Sequence, residues 1–551
     1  MVAAAAALAC GAVAPLHGQD STREVTGRAT AGAATAPGPA VRYYHFDITL
    51  PDTGSTIRGR VTIGYVRPGA GGDTLRLDLV GMQVDTVALP GTDVELPFAY
   101  DGRALSIALP RRPDAPLRTE AVLVVWHGVP QDGLILRPTA AGWPSAFADN
   151  WPQRARDWLP TVDDPGHKAQ AWWTVTAPSA WSVVANGRAA GRRDLGDGRT
   201  QWVYRELHPI PTYTMVLGAS RLTMSRHRPV ARDGDTIPIE VWAEPEDSAF
   251  ADSVPFRRAT EIVEAMQRLV GPFPYEKLAH VESSTRYGGM ENSTAIFYAE
   301  QPYVSRRMRE GVVRHETAHQ WFGDAVTERD FHDLWLSEGF ADYFAVVVGA
   351  ALDGDSVLAR GMAGLARGYL ASPDVERPVV DDAVTEPARL LNANSYNKGA
   401  WVLHMLRGTV GDTAFWRGIR DYYRTYRDSS VASVDFERVM ERAYGRPLGW
   451  FFGEWLHQPG YPRLDVTWRW DAAARQAVVD LAQVQPASWG LFRVPTVALE
   501  LRDGARVLAR RVVEVSAAHQ TVNVDLAGPP TDVAVDPDGR WLLTAAVRRV
   551  P

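Results

Sequence analysis

The sequence predicts a multidomain α+β protein: an N-terminal β domain over 41–220, a mainly helical domain over 221–460 and a small C-terminal β-sandwich over 461–551. Three observations predict this. A chain of 551 residues, 46% hydrophobic, exceeds what one core organises and divides into several domains. Apolar residues recur at strand spacing between turn residues up to about Ser220, then at helical spacing as far as Gly460. After Pro462 short alternating segments return.

Taken in order, residues 1–19 open with an alanine-rich apolar run and end Leu16-His17-Gly18-Gln19. They resemble the end of a secretory signal whose basic start is absent, so the expected location is secreted or periplasmic. The chain has one cysteine, Cys10, inside this segment. Ala7-Leu8-Ala9 before it fits a lipoprotein signal poorly. Residues 20–40, rich in Ala, Gly, Thr and Pro, read as a flexible leader. Strands follow: Tyr44 to Leu50 alternates, whereas Ala121 to Trp126 is continuously apolar. The clearest helical periods are Glu261 to Val270, Gly311 to Phe322, Asp333 to Gly349, Ala400 to Arg407 and Phe436 to Ala443. Thr496 to Leu501 and Thr521 to Leu526 alternate again and read as sandwich strands.

A net charge of −7 offers no general attraction to nucleic acid, and no long basic tract creates one locally. After the opening segment no run reaches the roughly 18 uncharged apolar residues of a membrane helix, so no stable membrane insertion is expected. Oligomeric state leaves no signature in the sequence.

The chemistry lies in His315-Glu316-Thr317-Ala318-His319 and, after eighteen intervening residues, Glu338. Residues four apart share a helix face, so His315 and His319 can aim their ring nitrogens at one point about 2 Å from each. Glu338 supplies a third ligand from the second helix. Three protein ligands leave one position open, the arrangement of a catalytic rather than a structural zinc site, with one Zn²⁺ per chain. Glu316, one position round the helix, reaches the rim, where a water needs a proton acceptor. Asp342, four residues after Glu338, is placed to orient a ligand histidine.

Three blocks then carry a resemblance: Tyr287-Gly288-Gly289-Met290-Glu291-Asn292, the histidine helix continuing Gln320-Trp321-Phe322-Gly323-Asp324, and Asp333-Leu334-Trp335-Leu336-Ser337-Glu338-Gly339-Phe340-Ala341. In content, order and separation they resemble peptidase family M1, the gluzincin aminopeptidases. Ala155-Arg156-Asp157-Trp158-Leu159-Pro160 is similar to the signature that ends the family's first domain. The resemblance spans roughly Tyr43 to Pro462. It implies a thermolysin-like catalytic domain and removal of N-terminal residues from peptides. It also implies that Glu291 holds the substrate α-amino group, and that the glycine-rich Gly288 to Asn292 segment lies beside the peptide. By the match of Ser395-Tyr396-Asn397-Lys398-Gly399 to the family's Tyr-x-Lys-Gly helix start, Tyr396 donates to the oxyanion.

The chain departs from the family twice. Where many members carry a Glu or Gln that helps hold the amine, this sequence has Trp151, with Asp149 and Asn150 as conceivable substitutes. Fewer than a hundred residues follow Pro462, where larger members append capping helices; a less enclosed cleft would admit longer peptides. An endopeptidase or oligopeptidase with the same zinc chemistry is therefore the alternative. Further off stand an inactive scaffold and, given nineteen tryptophans, a polymer-binding protein.

Overall fold

The computed structural model describes residues 38–67, 73–110 and 119–551. The opening segment over 1–19, Cys10 and nearly all of the leader lie outside the described residues.

The N-terminal region is β, as its alternation requires. Its main sheet runs in the order Arg188–Asp194, Arg199–Arg205, Lys168–Pro178, Ala40–Thr49, Ile57–Val66, Glu120–Gly128 and Gln83–Ala88. Only the central pair is parallel, setting Phe46 beside Trp173. Tyr44, Phe46 and Ile48 point to one face and are buried with Trp126, Trp158 and Trp173. Two of these indoles are satisfied within the core: Trp126 Nε1 donates to the Trp158 carbonyl at 2.9 Å, and Trp158 Nε1 to Asn150 Oδ1 at 2.9 Å, whereas Trp173 Nε1 has no partner among the described residues. Most of the large tryptophans thus build core. Trp172 does not: it stacks on Tyr43 on the sheet's other face, ring centroids 4.9 Å apart.

The region expected to be mainly helical begins with a five-stranded sheet, ordered Thr223–Arg232, Asp235–Ala243, Leu278–Ser283, Ala295–Ala299 and Gly289–Met290. The sequence hides it for a physical reason. All six residues of Leu278–Ser283 are buried, so no in-out alternation is selected, and His280 and Glu282 interrupt the apolar run. The helices that the spacing predicts are Ala259–Leu269, between two strands of this sheet, and beyond it Glu310–His319, Trp335–Asp353, Gly399–Val410 and Ser433–Tyr444.

The histidine helix ends at His319, one turn before the expected Phe322, because the next residues fold into a tight return. Asp324 N donates to the His319 carbonyl at 3.0 Å, and Gly323 takes φ +117°, a conformation suited to glycine. The second helix starts at Trp335 rather than Asp333. Phe331–Asp333 forms a separate 3-10 turn, capped by the Asp330 carboxylate on His332 N. Arg258 ties the two helices, reaching Glu310 at the start of one and Asp353 at the end of the other at 2.6–2.9 Å.

Two lysines, Lys168 partly buried and Lys277 fully so, lock the β and helical regions reciprocally. Lys168 donates to the carbonyls of Asp324 and Ala325, and Lys277 to those of Ala185 and Gly187. Two small sheets after Pro462 form the C-terminal sandwich, where Trp541 stacks on Trp455 of the helical region. Among the described residues one helical segment, Phe331–Asp353, is long and apolar enough to cross a membrane, and 78% of its apolar window is buried inside the protein.

Candidate active site

The two long helices bring His315, His319 and Glu338 together. The facing ring nitrogens of His315 and His319 lie 3.1 Å apart, and Glu338 Oε2 is 3.2 Å from one and 3.3 Å from the other. Each imidazole is held by its far nitrogen. His315 Nδ1 meets Asp342 Oδ1 at 3.0 Å, and His319 Nδ1 lies 3.0 Å from Ser337 Oγ and 3.2 Å from the Phe322 carbonyl. With Nδ1 donating, the Nε2 lone pairs of both rings face the same point as the carboxylate. Two imidazoles and one carboxylate converging in this way fit a zinc ion, and the anion-rich surroundings suit its charge. Asp342 thus stands where its spacing puts it. Ser337 was missed, although it is the residue immediately before a ligand.

Glu316 shares the histidine helix but points past the ligand cluster toward Gly289, where an added Cβ would fall 2.0 Å from its Oε1. Burial, opposed by the two histidines, pushes its carboxyl up to about 7, the range suited to taking and returning a proton near neutrality. For Glu338, burial works upward but is outweighed by His319 and His315, which hold the carboxyl well below its usual range.

The Gly288 to Asn292 segment runs as an edge strand. Gly289 and Met290 pair antiparallel with Tyr298 and Phe297, and the Gly288 carbonyl accepts from Ala299 N. Gln320, directly after His319, fixes this strand to the histidine helix: Nε2 donates to the Glu291 carbonyl at 2.7 Å, and Oε1 accepts from Thr294 N at 2.8 Å. The spacing of Gln320 in the sequence assigns it no role, because both of its partners lie on a distant segment. Asn292 is fully buried beneath the strand. Glu291, Glu316 and His319 each offer an atom within 4.8 Å of the others. Burial raises the Glu291 carboxyl, His319 opposes this, and Glu338 adds repulsion.

Tyr396 sits in a turn of π-helix, Asn394–Lys398, that leads into Gly399–Val410. Its hydroxyl donates to Glu338 Oε1 at 2.7 Å. A close crossing of two glycines allows the approach. A Cβ on Gly339 would lie 2.8 Å from the Gly399 backbone, and one on Gly399 would lie 3.0 Å from Gly339 Cα.

Neither conceivable substitute for the missing amine anchor is free. The Asn150 amide is spent on Trp158 Nε1 and the Met215 carbonyl. The fully buried Asp149 accepts from Thr285 Oγ1 and pairs with Arg154 and Arg286.

Comparison with known proteins follows from this geometry. A model of the peptidase family M1 domain matches residues 256–455, the segment that carries every one of these ligands and Glu316, Glu291 and Tyr396. That segment is similar to the peptidase family M1 domain. The chain is 29% identical over 328 residues to probable aminopeptidase 2 of Sulfurisphaera tokodaii, covering 56% of this chain and 40% of that protein. Among solved structures it is similar to the M1 zinc metallopeptidase of Deinococcus radiodurans, with TM-score 0.67 and 25% identity, covering 77% of this chain and 95% of that one. Aminopeptidase A of Legionella pneumophila shares the fold over 93% of this chain and 60% of its own, with TM-score 0.79 and 18% identity. The chain spans about half the length of the curated relatives it matches. The donor set of His315, His319 and Glu338 fits zinc, the metal named for the Deinococcus radiodurans peptidase.

Proposed function

We propose that this protein is a zinc aminopeptidase of the M1 type that removes single residues from the N-terminus of peptides. The observation that carries the reading is the spacing of two carboxylates. Glu291, suited to a free ammonium, lies within 4.8 Å of Glu316 and His319. In a peptide the terminal nitrogen and its own carbonyl carbon are about 2.5 Å apart, and each further residue adds about 3.3–3.8 Å. An ammonium on Glu291 therefore leaves room for only the first peptide bond at the base. The names of the relatives point the same way.

His315, His319 and Glu338 hold zinc, which when bound supplies Lewis-acid polarisation of a carbonyl and acidifies water. Glu291 receives the substrate ammonium through a charge-assisted hydrogen bond that strengthens in its buried setting. Gly289–Met290, the last strand of its sheet, can take the peptide as an added strand. Glu316 accepts a proton from the attacking water and passes it to the leaving amine. Tyr396 turns its hydroxyl from Glu338 to the oxyanion that develops on the scissile carbonyl; one such donor is typically worth about 10² to 10³ in turnover.

Matched peptides with free and acetylated N-termini, incubated with purified protein and resolved by mass, test the reading. Stepwise loss of single residues from the free peptide alone supports it. Internal cuts in both peptides would establish the open-cleft endopeptidase instead.

A further inference from the structure

The loop that carries Glu291 also carries Tyr287, one of a group of packed rings that the mechanism does not use. Three of the elements carrying site residues contribute a ring or fix one. Tyr287 comes from the loop of Glu291. Phe331 comes from the turn leading to the helix of Glu338. Tyr213 is held by its hydroxyl on the carbonyl of Gly323, at 3.1 Å, just after the histidine helix. Trp151, from the β region, plugs the space among them. Its ring meets Tyr287 edge-on at 5.9 Å and Phe331 at 5.6 Å, and Phe331 in turn packs against Tyr213 at 6.0 Å. Trp151 is 3% exposed and Phe331 5%, whereas Tyr287 keeps a partly open face. Rings at these separations are in contact, with no void between them for a side chain.

We infer that Trp151 fills the subsite for the substrate's first side chain, so that the enzyme takes peptides with small N-terminal residues, alanine above all, and discriminates against large ones. This rests on the aminopeptidase reading and names its substrate class. A residue whose ammonium sits on Glu291 projects its side chain toward the rings of that same loop, and those rings already enclose an indole. Neighbouring charges do not alter this. Asp149, Arg154, Asp132 and Arg286 pair among themselves. Removing the indole leaves space on the order of 150 Å³, enough for a benzene-sized group.

The test is kcat/KM on a matched set of fluorogenic alanyl, leucyl, phenylalanyl and arginyl substrates, for the full chain and for Trp151→Ala and Trp151→Leu. Wild type is expected to favour alanyl over phenylalanyl by at least about tenfold, as steric discrimination in a packed subsite allows. The variants should raise the ratio of phenylalanyl to alanyl kcat/KM about tenfold or more. Trp151→Leu keeps an apolar filler, so the comparison survives if the alanine variant fails to fold. A wild type that prefers phenylalanyl, or folded variants with an unchanged profile, overturns the inference and leaves the aminopeptidase reading standing. Failure of the wild type to release an N-terminal residue from any of the four overturns that reading and this inference with it.

Discussion

Replacing Gly339 by alanine should disable turnover without touching a ligand or Tyr396. The added Cβ would meet the Gly399 backbone at 2.8 Å and the Ser395 carbonyl oxygen at 3.0 Å. Ordinary carbon contacts lie at about 3.5–4.0 Å, so the two segments must part by roughly 0.5–1 Å. Backbone cannot rotate away as a flexible side chain could. Overpacking of this kind typically costs about 1–3 kcal/mol of stability. The functional cost is larger, because the shift separates the two groups that the crossing positions. Tyr396 and Glu338 now meet at 2.7 Å, and a displacement near 1 Å in a reacting constellation can cost about 10² in rate. The assay pairs kcat on an alanyl substrate with zinc content by elemental analysis and a denaturant melt. Expected are near-stoichiometric zinc, a modest loss of stability and kcat down by about 10². Wild-type kcat with full zinc would refute the argument that the glycine crossing sets the Tyr396 position.

Asp342→Asn should weaken zinc binding by about 10- to 100-fold in a chelator competition, because an amide no longer fixes the His315 ring as a carboxylate does; unchanged affinity would show that Asp342 only fills space. His280 supplies a pH test away from the metal. Burial, with a smaller contribution from His227, pushes its imidazole down to about 3; it stacks on Phe256 and bonds the Tyr298 hydroxyl at 2.9 Å. Only the unfolded chain then takes up this proton, so the stability that His280 contributes is complete above about pH 6.5 and is lost as pH falls from there toward 3. Denaturant melts between pH 7 and 4.5 should show a smaller acid loss in His280→Phe than in wild type, and parallel slopes would contradict the assignment.

Much of the site was legible because its chemistry is local. His315, Glu316 and His319 occupy one helical turn, and Asp342 follows Glu338 by one turn, so spacing alone places them. The outer β regions were legible because one-sided burial leaves alternation. The sheet beginning at Thr223 was not: its inner strands are covered on both faces, and buried His280 and Glu282 break the apolar pattern. Gln320 and Ser337 went unassigned because each acts across the fold, on the Glu291 strand and on His319 respectively. The glycine crossing is equally invisible in sequence, since nothing about Gly339 or Gly399 alone says that the other lies against it. The aromatic plug has the same character, drawing Trp151, Tyr287, Phe331 and Tyr213 from four separate segments.

The proton-transfer role of Glu316 is tested most directly by Glu316→Gln, an isosteric change that leaves both histidines and Glu338 in place. Zinc stoichiometry and kcat on a free-N-terminal peptide are measured on the same preparation. A zinc-loaded variant with kcat reduced by about 10² to 10⁴ is expected from the loss of general acid–base catalysis. A zinc-loaded variant that turns over at a rate near wild type would contradict the proposed chemistry.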